Sequence, residues 1–236
     1  MNAAKERTRD MDELEGRSAE EILDWAFGRF KPGTLALATS FGVEDQVLTD
    51  LVAAGRRPVR LFTLDTGRLF PEIHNVMQRT MERYNIPLEV FAPDPLELAD
   101  LVREKGPNLF YASREDRLAC CAVRKVHPLK KALSGMSAWI CGLRREQSED
   151  RSSVKPVEWD APNGLWKISP LYSWTEKQVW EYAEKHQVPV CVLQRRGFRS
   201  LGCAPCTRAV EPGGDARSGR WWWEQGGKKE CGLHLG

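Results

Sequence analysis

Between residues 34 and 171, short apolar runs alternate with longer amphipathic stretches, and this alternation limits the available folds more than any other feature of the chain. The runs "TLALATS" (34–40), "VRLFTLD" (59–65), "LEVFAP" (88–93), "AWICGL" (138–143) and "LWKISPL" (165–171) read as strands, mostly buried. Helical patterns lie between them at 45–55, 71–85, 95–106 and 122–133, the last kinked or interrupted by Pro128. Gly55 and Gly106 end two of these helices, and Pro71 opens another at its first turn. The capping pairs Ser18 with Glu21 and Ser173 with Glu176 predict further helices over 18–30 and 173–187. Strands alternating with helices predict an α/β fold: a mostly parallel sheet with right-handed crossovers, flanked by helices.

The chain has 236 residues, 42% of them hydrophobic, enough to bury a full core. The last forty residues lack clear periodicity and are rich in Arg, Gly, Trp and Cys. They predict a loop-rich extension over the carboxyl edge of the sheet, where α/β folds bind ligands. The expected organisation is an N-terminal helical segment (1–30), a nucleotide-binding α/β unit (31–200) and a C-terminal segment (201–236), together one compact domain.

Charge is uneven. The net charge of +2 gives no whole-chain case for a nucleic-acid or membrane partner. Residues 1–50 hold six Lys/Arg against eleven Asp/Glu, whereas residues 195–236 hold eight against four. The basic end also collects cysteines, which predicts an anionic ligand there. The N-terminus has no apolar stretch, and no run approaches the ~18 apolar residues of a membrane helix, so a soluble, cytoplasmic protein is expected. Seven cysteines in a reducing compartment point to metal or redox chemistry rather than a disulfide frame.

The most specific local signal is "ACCAVRK", with Cys120 and Cys121, together with "GCAPCT", with Cys203 and Cys206. A C-x-x-C pair alone serves zinc sites, redox pairs and iron–sulfur centres. Adjacent cysteines narrow the choice. Neighbouring helical side chains diverge by about 100°, so two adjacent thiolates reach one small ion only with strain. A cubane cluster offers separate iron atoms, and four thiolates are the usual ligand set of a [4Fe–4S] centre. A four-cysteine zinc site is the competing reading on ligand count. Cys141 and Cys191 lie in apolar runs and read as small buried hydrophobes.

Two loops follow predicted strands at the same sheet edge. "SFGVED" (40–45) opens a helix, whose N-terminal N–H groups can hold an anion. "LDTGRLFPE" (64–72) brings Asp65, Thr66 and Gly67 beside it. The cationic candidates are Arg124 and Lys125, Arg144 and Arg145, and Arg217 and Arg220, each near a cysteine motif or a strand end.

Taken together, the Cys-Cys pair, the C-x-x-C separated from it by 81 residues, the "LDTGR" loop and the terminal "KKECGLH" resemble the assimilatory adenylylsulfate reductases of the bacterial iron–sulfur type. The resemblance implies an adenine nucleotide α-hydrolase-like fold, related to ATP pyrophosphatases. It implies reduction of adenosine 5′-phosphosulfate (APS) to sulfite and AMP, with thioredoxin or a glutaredoxin-like donor. Cys231 would be the nucleophile, and Cys120, Cys121, Cys203 and Cys206 would hold one [4Fe–4S] cluster per subunit. Lys125 would lie between cluster and substrate. Arg144, Arg217, Arg220 and His234 would contact the phosphosulfate, and Leu64 with Gly42 would line the adenosine pocket. A homo-oligomer is compatible with this reading.

"SFGVED" departs from the Ser-Gly-Gly-x-Asp-Ser loop of ATP pyrophosphatases, which counts against ATP cleavage and against a tRNA-thiolating enzyme. The nearest rival substrate is PAPS, which adds a 3′-phosphate. A cluster- or zinc-based sensor is the non-enzymatic rival. A mobile tail would let Cys231 meet substrate and donor in turn, with hinges at Gly213–Gly214 and Gly226–Gly227. Consecutive tryptophans in "RWWWEQ" cannot all face one core; tail packing and a thioredoxin-docking surface are the two readings.

Overall fold

The computed structural model describes residues 13–211, 213–224 and 233. Six strands form one sheet: β1 (Leu35–Thr39), β2 (Arg60–Leu64), β3 (Leu88–Phe91), β4 (Ala138–Ile140), β5 (Val157–Asp160) and β6 (Leu165–Ile168). Their spatial order is β3-β2-β1-β4-β6-β5. All pairings are parallel except β5 with β6, where Trp159 lies opposite Trp166. Central β1 sets the register: Leu37 faces Leu61 on one side and Ile140 on the other.

Eight helices accompany the sheet among the described residues: α1 (Ala19–Arg29), α2 (Val43–Ala54), α3 (Pro71–Tyr84), α4 (Pro95–Lys105), α5 (Arg114–Cys121), α6 (His127–Leu133), α7 (Glu176–Lys185) and the short α8 (Val192–Arg195). The expected capping box starts α1: Ser18 accepts from the Glu21 N–H, and Glu21 accepts from the Ser18 N–H. Helix α1 buries Ile22, Leu23 and Ala26 in the same core as Leu37, Val47, Leu61, Trp139 and Ile168. Burial of each such side chain contributes about 1.5–3 kcal/mol.

Four elements differ from the sequence-based expectation, one of them the short helix α8, which it did not contain. Helix α7 is capped by Thr175, not Ser173: Thr175 Oγ1 accepts from Gln178 N, and Gln178 Oε1 accepts from Thr175 N. The Trp174 N–H instead closes a turn onto Leu171 O, which holds Ser173 outside the helix. Edge strand β5 is absent from the expectation, because four residues of mixed polarity carry no readable period. Helix α5 is absent from it too, although Ser113 accepting from the Asp116 N–H is a recognisable start signal.

Between α5 and α6 the backbone opens into a π turn, Ala122–Val126. Pro128 supplies the reason. It has no N–H for the Arg124 carbonyl, and its ring would collide with that carbonyl in a regular helix. The predicted interruption at Pro128 therefore lies just ahead of it. No helix among the described residues is long and apolar enough to cross a membrane.

Candidate active site

The carboxyl ends of β1, β2 and β4 open into a cavity of about 230 Å³. Gly42, Leu64, Lys125, Arg144, Arg217 and Arg220, each expected from the sequence to touch substrate, all line it. Cys231, His234 and Gly226–Gly227 lie outside the described residues. Leu233, between those two predicted site residues, is described and lines the same cavity.

The sheet-side wall is built by the loop after β1. Phe41 is fully buried with φ at 60°, a left-handed conformation that costs a non-glycine residue about 1–2 kcal/mol. The bent backbone lets Asp45 Oδ2 accept from both Ser40 N and Ser40 Oγ at 2.7 Å. Asp45 also accepts from the Gly142 N–H, and a Cβ on Gly142 would stand 2.5 Å from Asp45 Oδ1, so only glycine fits. Burial raises the Asp45 carboxyl to about 6, against those hydrogen bonds. Neighbouring Glu44 accepts from Arg144 Nε at 3.0 Å, Arg144 Nη2 at 2.9 Å and Gln147 Nε2 at 3.0 Å. Arg144 also pairs with Glu146 and donates to Trp174 O. Arg144 thus reaches the cavity with its charge already matched. Arg145 turns away, pairing with Glu15 and stacking on Tyr172.

The opposite wall comes from the C-terminal extension. Arg220 donates to Leu201 O at 3.0 Å and Cys206 O at 3.3 Å, and lies over the Trp221 ring at 4.6 Å. A Cβ on Gly202 would fall 2.3 Å from its guanidinium, so glycine there lets the arginine lie flat. Arg217 Nη1 donates to Ser200 Oγ at 3.4 Å.

Beside this wall Cys120, Cys121 and Cys206 are buried in one cluster, with Cys203 packed against it. The loop after β2 holds the C-x-x-C in place: Ala204 N donates to Arg68 O at 2.8 Å, and Cys203 Sγ to Thr66 Oγ1 at 3.3 Å. Arg124 donates to Thr66 O at 2.5 Å. Burial pushes the Cys120 and Cys206 thiols up, Cys206 to about 12. Arg124 and Arg68 pull Cys120 down, and Arg220 and Lys125 pull Cys206 down. The thiols thus lie among cations that favour negative charge there. Among the described residues no three His, Cys, Asp or Glu side chains are arranged as a single-ion site. Cys141 and Cys191 are buried as expected.

The tryptophans divide. Trp221 is buried between Arg117 and Arg220, whereas Trp222 and Trp223 are half-buried, with Trp223 against Tyr111. Tail packing therefore accounts for Trp221.

Sequence reasoning missed Arg199, which lines the cavity, pairs with Glu176 and donates to Gly214 O at 2.6 Å. This bond pins one expected hinge, Gly213–Gly214, in a turn. It also missed the buried pair of Arg117 with Glu224. No local motif surrounds either arginine; both find their partners through the fold.

Residues 34–209 match the phosphoadenosine phosphosulfate reductase domain. The adenosine 5′-phosphosulfate reductase of Allochromatium vinosum is 50% identical over 85% of this chain and 78% of its own length. That of Burkholderia cepacia is 46% identical over 84% of this chain and 79% of its own length. Among solved structures, a phosphoadenylyl-sulfate reductase from Candida auris, in complex with phosphate, superposes with a TM-score of 0.72 at 26% identity, covering 85% of this chain and 96% of that one. A Candida glabrata FMN adenylyltransferase shares the fold at a TM-score of 0.58 and 20% identity, covering 81% of this chain and 63% of that one. The chain belongs to the phosphoadenosine phosphosulfate reductase family.

Proposed function

We propose that the chain reduces APS to sulfite and AMP in assimilatory sulfate reduction, in the cytoplasm, with thioredoxin or a glutaredoxin-like protein as donor. The observation that carries this reading is a cavity of about 230 Å³ at the carboxyl ends of the strands that brings Lys125, Arg217 and Arg220 together with the loops after β1 and β2.

Leu64 and Gly42 line the cavity with Lys125, Arg217 and Arg220; in this reading the first two contact adenosine and the cations meet the phosphosulfate. The Cys231 thiolate attacks the sulfur of APS. An S–S bond forms, the S–O bond to phosphate breaks, and AMP leaves with that electron pair. The charge of substrate and transition state is offset by Lys125, Arg217, Arg220 and His234. A donor thiolate then attacks Cys231 Sγ, and sulfite leaves with the electrons of the broken S–S bond. The donor's second thiol resolves the mixed disulfide, so the donor dithiol is oxidised by two electrons and Cys231 is restored.

Cys120, Cys121, Cys203 and Cys206 fit a [4Fe–4S] cluster. Two features support the fit. Arg68, Arg124, Lys125 and Arg220 act electrostatically on these thiols, and Arg117 on Cys121. The Trp221 indole N–H, buried in the same cluster of residues, has no acceptor among the described residues, and cluster sulfurs are acceptors. When bound, the negatively charged cluster would hold Lys125 by electrostatic attraction, and Lys125 would in turn draw the sulfate end toward it, with no electrons passing through the centre. Cys120→Ala should therefore lose the visible absorption and iron content of the centre.

Intact-protein mass spectrometry after mixing with APS and no reductant tests the function. A sulfonate adduct on Cys231, with AMP released, is expected. Active, cluster-loaded protein without an adduct would sink the mechanism. PAPS is the alternative substrate, named by the matched family model and by the Candida auris structure. The ratio of kcat/KM for the two nucleotides decides between them.

A further inference from the structure

The reaction above makes no use of the buried pair between Arg117 and Glu224. Arg117 lies in α5, one turn ahead of Cys121, and is fully buried. Its Nε and Nη2 donate to the two Glu224 oxygens at 2.8 and 2.9 Å. The Trp221 ring lies against the same guanidinium at 4.4 Å, and Cys121 adjoins it. The pair joins positions 107 residues apart.

A buried ion pair is a costly way to hold two segments together. An apolar pair of similar volume is often as stable or more so. A bidentate pair adds a single orientation, because the guanidinium fork accepts a carboxylate in a fixed plane. Here that orientation fixes Glu224 on the helix that carries Cys120 and Cys121. Cys231 lies seven residues beyond Glu224, a span of at most about 25 Å.

We infer that Arg117 and Glu224 are positioning residues: their ion pair anchors the segment that bears Cys231 at a defined point beside the four-cysteine group. The inference rests on Cys231 being the nucleophile. A neutral, isosteric partner should loosen the anchor without emptying the cavity or removing the centre.

The test uses the full, cluster-loaded chain with Glu224→Gln. Iron content, visible absorption and AMP affinity should stay within about twofold of wild type. The rate of sulfonate addition to Cys231 should fall at least about tenfold, and trypsin should release the peptide beyond Lys228 and Lys229 at least about threefold faster. If Glu224→Gln does not fold, Arg117→Lys, which keeps the charge and loses the fork, should give the same pattern. Unchanged adduct and trypsin rates would overturn the anchor. If wild type forms no adduct, the functional reading fails, and the trypsin comparison alone decides whether the anchor exists.

Discussion

On the sheet side of the cavity, Arg144 is bound by the carboxylates of Glu44 and Glu146; on the C-terminal side, Arg220 is bound by the carbonyls of Leu201 and Cys206. The two arginines are equally buried, at 4% exposure, yet their partners differ in kind. A carboxylate partner cancels a guanidinium's charge. A carbonyl partner orients it and leaves the charge for something else. An anion entering the cavity would thus be met by the C-terminal wall, while the sheet-side ions mainly hold two loops together. The thiols divide similarly. Cys141, on the sheet side, is pushed to about 11 by burial and lies near Ile168 O and Ser169 Oγ, so it is a poor nucleophile.

This contrast can be broken experimentally. The largest effect belongs to the thiols. Cys231→Ser should lower sulfite release by at least about 10⁴-fold, whereas Cys141→Ser should stay within about threefold. Next come the arginines. Arg220→Ala should lower kcat/KM for APS by about 10²–10³-fold. Arg144→Met should instead destabilise the fold by about 2–4 kcal/mol, read by denaturant unfolding, because half-buried Glu44 is left with Gln147 and no cation. An Arg144→Met protein that unfolds like wild type but loses activity a hundredfold would move Arg144 to the ligand side.

The smallest effect concerns Asp45. Its folded carboxyl titrates near 6, above its ordinary value of 3.8. The stability it contributes is complete below the ordinary value and lost as pH rises through the folded one. Relative to wild type, Asp45→Asn should therefore gain on the order of 2 kcal/mol between pH 4 and pH 7. Unfolding free energies across that range check the sign; a flat difference would remove the desolvation argument.

The sheet-side wall was legible in the sequence because its signals are local. Strand runs, the capping pair at Ser18, and the loops at 40–45 and 64–67 depend on residues a few positions apart. The cysteine group was legible through unusual spacing. The long-range ion pairs were less so. Which carboxylate neutralises Arg144 depends on a contact across 100 positions, and that between Arg117 and Glu224 across 107. The capping error at Ser173 has a subtler source: Ser173 with Glu176 and Thr175 with Gln178 are equivalent patterns, and a turn at Trp174 chooses between them.

The π turn at Ala122–Val126 carries a consequence for chain length. Such a turn holds one residue more than an α-helical turn, so it acts as a phase shift in the middle of a functional stretch. Deleting any residue between Cys121 and His127 would remove the residue that the π turn absorbs while Pro128 still bars a regular helix, so the stretch between the cysteines and α6 would have to rearrange. Arg124 would leave the Thr66 carbonyl, and Lys125 would leave the cavity. In this stretch the count of residues is itself functional information, and a deletion there should be more harmful than most substitutions.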